Sequence, residues 1–223
     1  VTRDEMVARV KARLGKRTGT LLDDDIVAEL QQMQLDLEQS AFLPWFLIRR
    51  AGWGTTVVAS GQITLPTGYI RPYKFDDVFL QDPDTLDWFA VPRRRYKDLI
   101  QLSGATAAAQ GKPQYWEYVG GVFYIRPRAD KAYPVNSTYY EADSTLSLGV
   151  STNSWSTYAP NLLIAGVQQV IAGSYLQNSK LEMSAEKEYV RQLQLLINST
   201  TVREESPRDE SKDDYLYYSA DED

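Results

Sequence analysis

The chain has 223 residues, of which 43% are hydrophobic and 24% charged, an ordinary globular mix that excludes a disordered, collagen-like or coiled-coil class for its bulk. It contains no cysteine and no histidine. Disulfides, thiolate nucleophiles, zinc sites of the usual ligands and every Ser-His mechanism are thereby excluded, leaving carboxylates, Lys, Tyr, Ser and Thr for any catalysis.

The first element reads as a short helix. Thr2 and Glu5 fit a capping box, Met6, Val10 and Leu14 recur at helical spacing, and Gly15 stops it. The second helix carries Leu22, Ile26, Leu30, Met33 and Leu37 as one apolar stripe, capped by Thr20 and ended by Pro44. Asp23, Asp24 and Asp25 fall in its first turn, where the helix dipole favours negative charge. From Trp45 to Trp155 the pattern turns to strands. Phe46-Leu47-Ile48, Thr55 to Ala59, Ile63 to Leu65 and Val135 to Glu141 read as extended. Tyr115 to Ile125 reads as a hairpin about Gly120-Gly121, with Trp116, Tyr118, Phe123 and Ile125 on the core face. Arg93 to Leu102 reads as a short helix. Helical spacing then returns. Pro160 starts a helix whose face is Leu163, Val167, Val170, Ile171 and Ser174. Ser184 caps a last helix carrying Tyr189, Val190, Leu193, Leu196 and Ile197.

This order predicts an α+β fold. Residues 1–44 and 156–203 form a four-helix bundle from both chain ends, and residues 45–155 form a β-rich insertion. Residues 204–223 form an extended C-terminal arm. Ala165, Gly166, Ala172 and Gly173 are small enough for close helix approach, with Gly166 and Gly173 as the contact points. No apolar run approaches the roughly 20 residues of a membrane span, and the N-terminus has no signal core.

Charge is unevenly placed. Residues 204–223 hold nine acidic and two basic residues, net −7, while residues 1–203 are net +1. A near-neutral body argues against a dedicated nucleic-acid binder. Arg93-Arg94-Arg95 is a dense basic cluster and a candidate interface with phosphate or an acidic partner surface. Asp76, Asp77, Asp82, Asp84 and Asp87 form a carboxylate-rich loop. Such pairs run glycoside hydrolysis without histidine, but solvated loop acids are commoner. The small-residue run Gly104 to Gly111 lacks phosphate-binding spacing. Tyr215-Leu216-Tyr217-Tyr218 is unusual in an acidic tail and reads as a partner-docking anchor.

Several strings in order resemble the head–tail adaptor (connector) proteins of tailed bacteriophages, relatives of the tail tubular protein A group. They are Leu22-x-x-Asp25-Ile26 with Leu30, then Phe42-Leu43-Pro44-Trp45-Phe46-Leu47, Ile63-Thr64-Leu65-Pro66 and Pro113-x-Tyr115-Trp116. Val122-Phe123-Tyr124-Ile125, Tyr139-Tyr140, Trp155, Ala159-Pro160-Asn161-Leu162-Leu163-Ile164 and Tyr189 follow. The resemblance covers roughly residues 20–200. It implies a virion structural protein at the head–tail interface, assembled in the host cytoplasm, with no cofactor and no catalysis. It implies a ring of about twelve copies under the portal protein. That ring extends the DNA channel and forms the platform for a tail or nozzle protein, and DNA passes through without specific binding. The portal is then the first receiver of the C-terminal arm and a neighbouring adaptor subunit the second. Two other readings stay open from the residues: a carboxylate-based carbohydrate-active enzyme, and a DNA-packaging module.

Overall fold

The ends of the first helix are set by side-chain chemistry. In the computed structural model, which describes residues 1–15, 23–73, 78–103, 109–147 and 149–205, α1 runs Arg3–Leu14. The Thr2 hydroxyl accepts the Glu5 amide at 3.2 Å and the Glu5 carboxylate accepts the Thr2 amide at 2.9 Å. Two donors that a helix cannot satisfy internally are thus satisfied. α2 runs Asp23–Glu38 and buries Ile26, Leu30 and Leu37. Thr20 and Leu22, expected at its start, lie outside the described residues. α2 stops well before Pro44, because the Ser40 hydroxyl donates to the Phe42 carbonyl and turns the chain out of the helix.

The chain divides into two compact units, residues 1–46 with those from 144 onward, and residues 47–143. In the first, α1 and α2 are joined by α4 (Ser154–Tyr158), α5 (Pro160–Val170), a single π-turn (Ile171–Tyr175) and α6 (Ser179–Glu205). The stretch 144–155 packs here, not in the β region as expected. Leu146 and Trp155 are buried. The Asn153 side chain accepts the Ser156 amide at 2.8 Å and starts α4, an element too short to show periodicity.

α5 sits at the centre, packed by α1, α2, α4 and α6. Leu162 to Gln168 are therefore buried on every side, whereas one apolar face was expected. Ser174, expected on that face, is exposed. α6 begins at Ser179, not Ser184, with Asn178 accepting the Leu181 amide at 3.2 Å.

The second unit is built from strands, which makes the fold α+β. β1 (Ile48–Thr55) pairs along its length with β10 (Pro134–Glu141). Phe46 and Leu47, expected to be extended, belong to the 3₁₀ turn Trp45–Leu47, and Ala59 lies in a turn at φ +62°. β1 instead crosses Gly52 and Gly54, where the register shifts. The other edge of β10 takes β3 (Tyr69–Pro72) and β4 (Val78–Gln81), and β4 continues to β5 (Trp88–Val91). A three-stranded sheet contains β2 (Gln62–Ile63), β8 (Val122–Arg126) and β7 (Tyr115–Val119). A short parallel pair, β6 (Gln110–Gly111) with β9 (Arg128–Ala129), completes the unit.

The β7–β8 hairpin follows its sequence reading. Val119 faces Val122, Trp116 faces Ile125 and Tyr118 faces Phe123. Gly120 and Gly121 have φ of +59° and +80°, as a type I′ turn requires. Trp116 stacks on Phe123 with ring centroids 4.6 Å apart, in a core shared with Val78, Leu80, Val91 and Val135. α3 (Tyr96–Ser103) starts three residues later than expected, because Arg93 is bridged to Trp116 and the Arg94 amide donates to the Trp116 carbonyl.

Candidate functional site

The described part of the carboxylate-rich loop closes the β4–β5 hairpin, and its Asp82 and Asp84 carboxylates meet cations or backbone. Asp82 accepts the Asp84 amide at 3.1 Å and Lys112 at 3.3 Å, while Asp84 pairs with Lys131. The Asp84 amide, then Lys112, hold the Asp82 carboxyl below the usual range. Asp76 and Asp77 lie outside the described residues. Among the described residues no cluster of acids is arranged to hold a metal ion. No described helix is long and apolar enough to cross a membrane.

An open groove of about 740 Å³ runs beside α1 and α2, lined by Arg3, Asp4, Asp23, Asp24, Val27 and Gln31 among others. Its charges are mixed and locally paired, Arg3 with Asp4 and Lys11 with Asp23. Nothing in it pairs a nucleophile with a base.

The candidate interface residues fall into three groups. Arg93, Arg94 and Arg95 lie together on the surface of the β unit, but they differ in state. Arg93 pairs at 2.9 Å with the buried Glu117 carboxylate. The Arg94 guanidinium sits 5.2 Å from the centre of the Tyr115 ring. Arg95 is exposed. Gly166 and Gly173 serve contacts within the helical unit. A Cβ on Gly166 would lie 2.6 Å from Met33 Cε of α2, and one on Gly173 2.8 Å from a Glu182 carboxylate oxygen of α6. Tyr215, Leu216, Tyr217 and Tyr218 lie outside the described residues.

Two features were not read from the sequence. The first is a buried polar network. Glu38 accepts the Trp155 indole N–H at 2.7 Å and the Gln34 amide at 3.0 Å. Gln34 in turn accepts the Asn153 amide at 2.9 Å. The available signal was Gln34 and Glu38, four residues apart on the flank of the stripe formed by Ile26, Leu30 and Leu37.

The second is the outer side of α6. Ala185, Leu196 and Thr200 turn inward, while Met183, Val190, Leu195 and Val202 are each more than half exposed. They fall in two pairs seven residues apart, so each pair lies along one edge of the helix. Val190, read as part of the apolar row, points outward.

α6 also carries a strong local ion pair. Glu188 accepts Arg191 at 2.7 Å and Gln192 at 2.8 Å, which lowers its carboxyl from near 4.5 to about 2, the arginine being the main cause. A depressed carboxylate adds stability above its ordinary value and loses it as pH falls through the folded one. Glu188→Gln is therefore expected to cost about 0.2–0.5 kcal/mol near neutrality, as an exposed helical pair does. Urea unfolding at a series of pH values should show this difference shrinking towards zero as pH falls from 5 to about 2. A difference independent of pH contradicts the assignment.

A search of curated proteins finds no match. The model of the SU10 adaptor protein family matches residues 1–211, nearly the whole chain, and the protein belongs to that family of phage structural adaptors.

Proposed function

We propose that the chain is a head–tail adaptor of a tailed phage, forming a ring of about twelve copies beneath the portal. In this reading α1, α2, α5 and α6 act as a four-helix bundle. The ring extends the DNA channel and gives the tail or nozzle its platform, so that the genome leaves through it on ejection. It resides in the virion after assembly in the host cytoplasm. DNA passes without specific binding, since residues 1–203 carry a net charge of only +1. The chain is not an enzyme in this reading, and it takes no cofactor.

The observation that carries this reading is the outer side of α6. Four apolar side chains, each more than half exposed along one helix, belong against another surface in a chain of this family. In a ring that surface is the neighbouring subunit.

The test is to mix the purified chain with the portal protein of the same phage and image the product. A ring of the chain stacked coaxially on the portal supports the reading. A chain that ignores the portal and binds only the distal tail components contradicts it.

A further inference from the structure

Strand alternation gives the three-stranded sheet a second face. Trp116, Tyr118, Phe123 and Ile125 turn to the core, so Tyr115, Glu117, Tyr124 and Arg126 turn the other way. α3 and the run before it lie on this side, with Tyr96 4.9 Å from Tyr124, Arg94 over Tyr115 and Arg93 on Glu117. Arg94, Arg95 and Lys97 are exposed and have no carboxylate partner among the described residues. The result is a surface of unpaired cations set among tyrosine rings.

The same chain carries the complement. Residues 204–223 are net −7, and Asp213-Asp214 stand directly before Tyr215-Leu216-Tyr217-Tyr218. We infer that the basic, tyrosine-lined face of Arg94, Arg95, Lys97, Tyr96 and Tyr115 receives the acidic C-terminal segment of a second copy of this chain. The inference rests on the ring reading and names one of its contacts. Carboxylates beside tyrosines on the segment match cations beside tyrosines on the face, in charge and in apolar content. Reach is sufficient. The ten residues from Glu205 to Tyr215 span up to about 35 Å when extended. Each copy has one donor segment and one receiving face, so the contact is head-to-tail, the kind that closes into rings. The portal, which the resemblance places first as receiver of the arm, competes for the segment, and duplex DNA competes for the face. The duplex matches the three unpaired cations but not the tyrosines between them. The chain's own segment matches both.

The test uses full-length chain in equal mixtures of isotopically light and heavy protein. A photo-crosslinking residue replaces Tyr217, and cross-linked peptides are read by mass spectrometry. Light-to-heavy cross-links to the segments around residues 94–97 and 115 are expected. R94E/R95E should lower their yield at least about tenfold through like-charge repulsion. R94Q/R95Q, which only removes charge, should lower it less, and D213K/D214K should restore the yield in the R94E/R95E background. Cross-links confined to one chain or falling elsewhere overturn the inference, as does a yield unchanged in R94E/R95E. So does a labelled duplex whose binding is lost in R94E/R95E while the cross-link survives. Rings that form without this cross-link remove the inference and leave the ring reading standing. A chain that is monomeric at every concentration removes both.

Discussion

A chain carrying Val190→Asp and Leu195→Asp is expected to sediment as a monomer under conditions where the native chain, on the proposed reading, assembles into a ring. Both positions face outward from α6 and are more than half exposed. The substitutions therefore leave the core intact and cost each subunit at most about 0.7 kcal/mol in helix propensity, nearly all of it at Leu195, since valine and aspartate rank alike. In an assembled ring the same carboxylates are taken out of water with no partner. Burying an unpaired charge costs about 3–5 kcal/mol, so two per interface suppress association by several orders of magnitude. Val190→Ala, which only removes contact area, should weaken association without abolishing it. Sedimentation velocity across a concentration series reads all three. A double variant that forms the same particle as the native chain places the subunit interface elsewhere.

Trp155→Ala is expected to cost about 3–5 kcal/mol in stability, the range for deleting a large buried aromatic. Trp155 is almost fully buried and packs edge-on against Phe46 at 5.0 Å. Its loss empties a volume lined by the helical unit and also strips Glu38 of an indole donor. Trp155→Phe separates the two effects. It keeps an aromatic ring and removes the N–H, so a buried carboxylate loses one of its hydrogen bonds. That change is expected to cost about 1–3 kcal/mol. Urea unfolding followed by circular dichroism measures both. A Trp155→Phe variant as stable as the native protein means that the network holds no net energy and that Trp155 acts by packing alone.

How much was legible in the sequence depends on how local the cause was. The capping box of Thr2 and Glu5 and the Gly120-Gly121 turn were readable because the deciding atoms lie within four residues. The inward faces of α1 and β7–β8 were readable because their large apolar residues recur at the period of the element. α5 was misread as one-sided because four helices surround it, a fact held in residues far along the chain. β1 was misplaced because Gly52 and Gly54 are poor strand formers. Pairing with β10 overrides their preference. α4 is five residues long and shows no period at all. Glu38 was passed over for a related reason. A carboxylate beside an apolar stripe reads as solvent-facing until Trp155, 117 residues later, is known to donate to it. Of the candidate interface residues, the arginine cluster was found by its density alone. Its division into Arg93 on a buried carboxylate, Arg94 over a tyrosine ring and exposed Arg95 required Glu117 and Tyr115, which only the fold brings beside it.

The most direct test of the account is the mass of the purified full-length chain under native conditions, measured across a range of concentrations. One closed species of about twelve copies is expected, with no open-ended ladder of higher multiples, and a ring with a central channel when that species is imaged. A chain that stays monomeric at every concentration, or grows into filaments without closing, contradicts it.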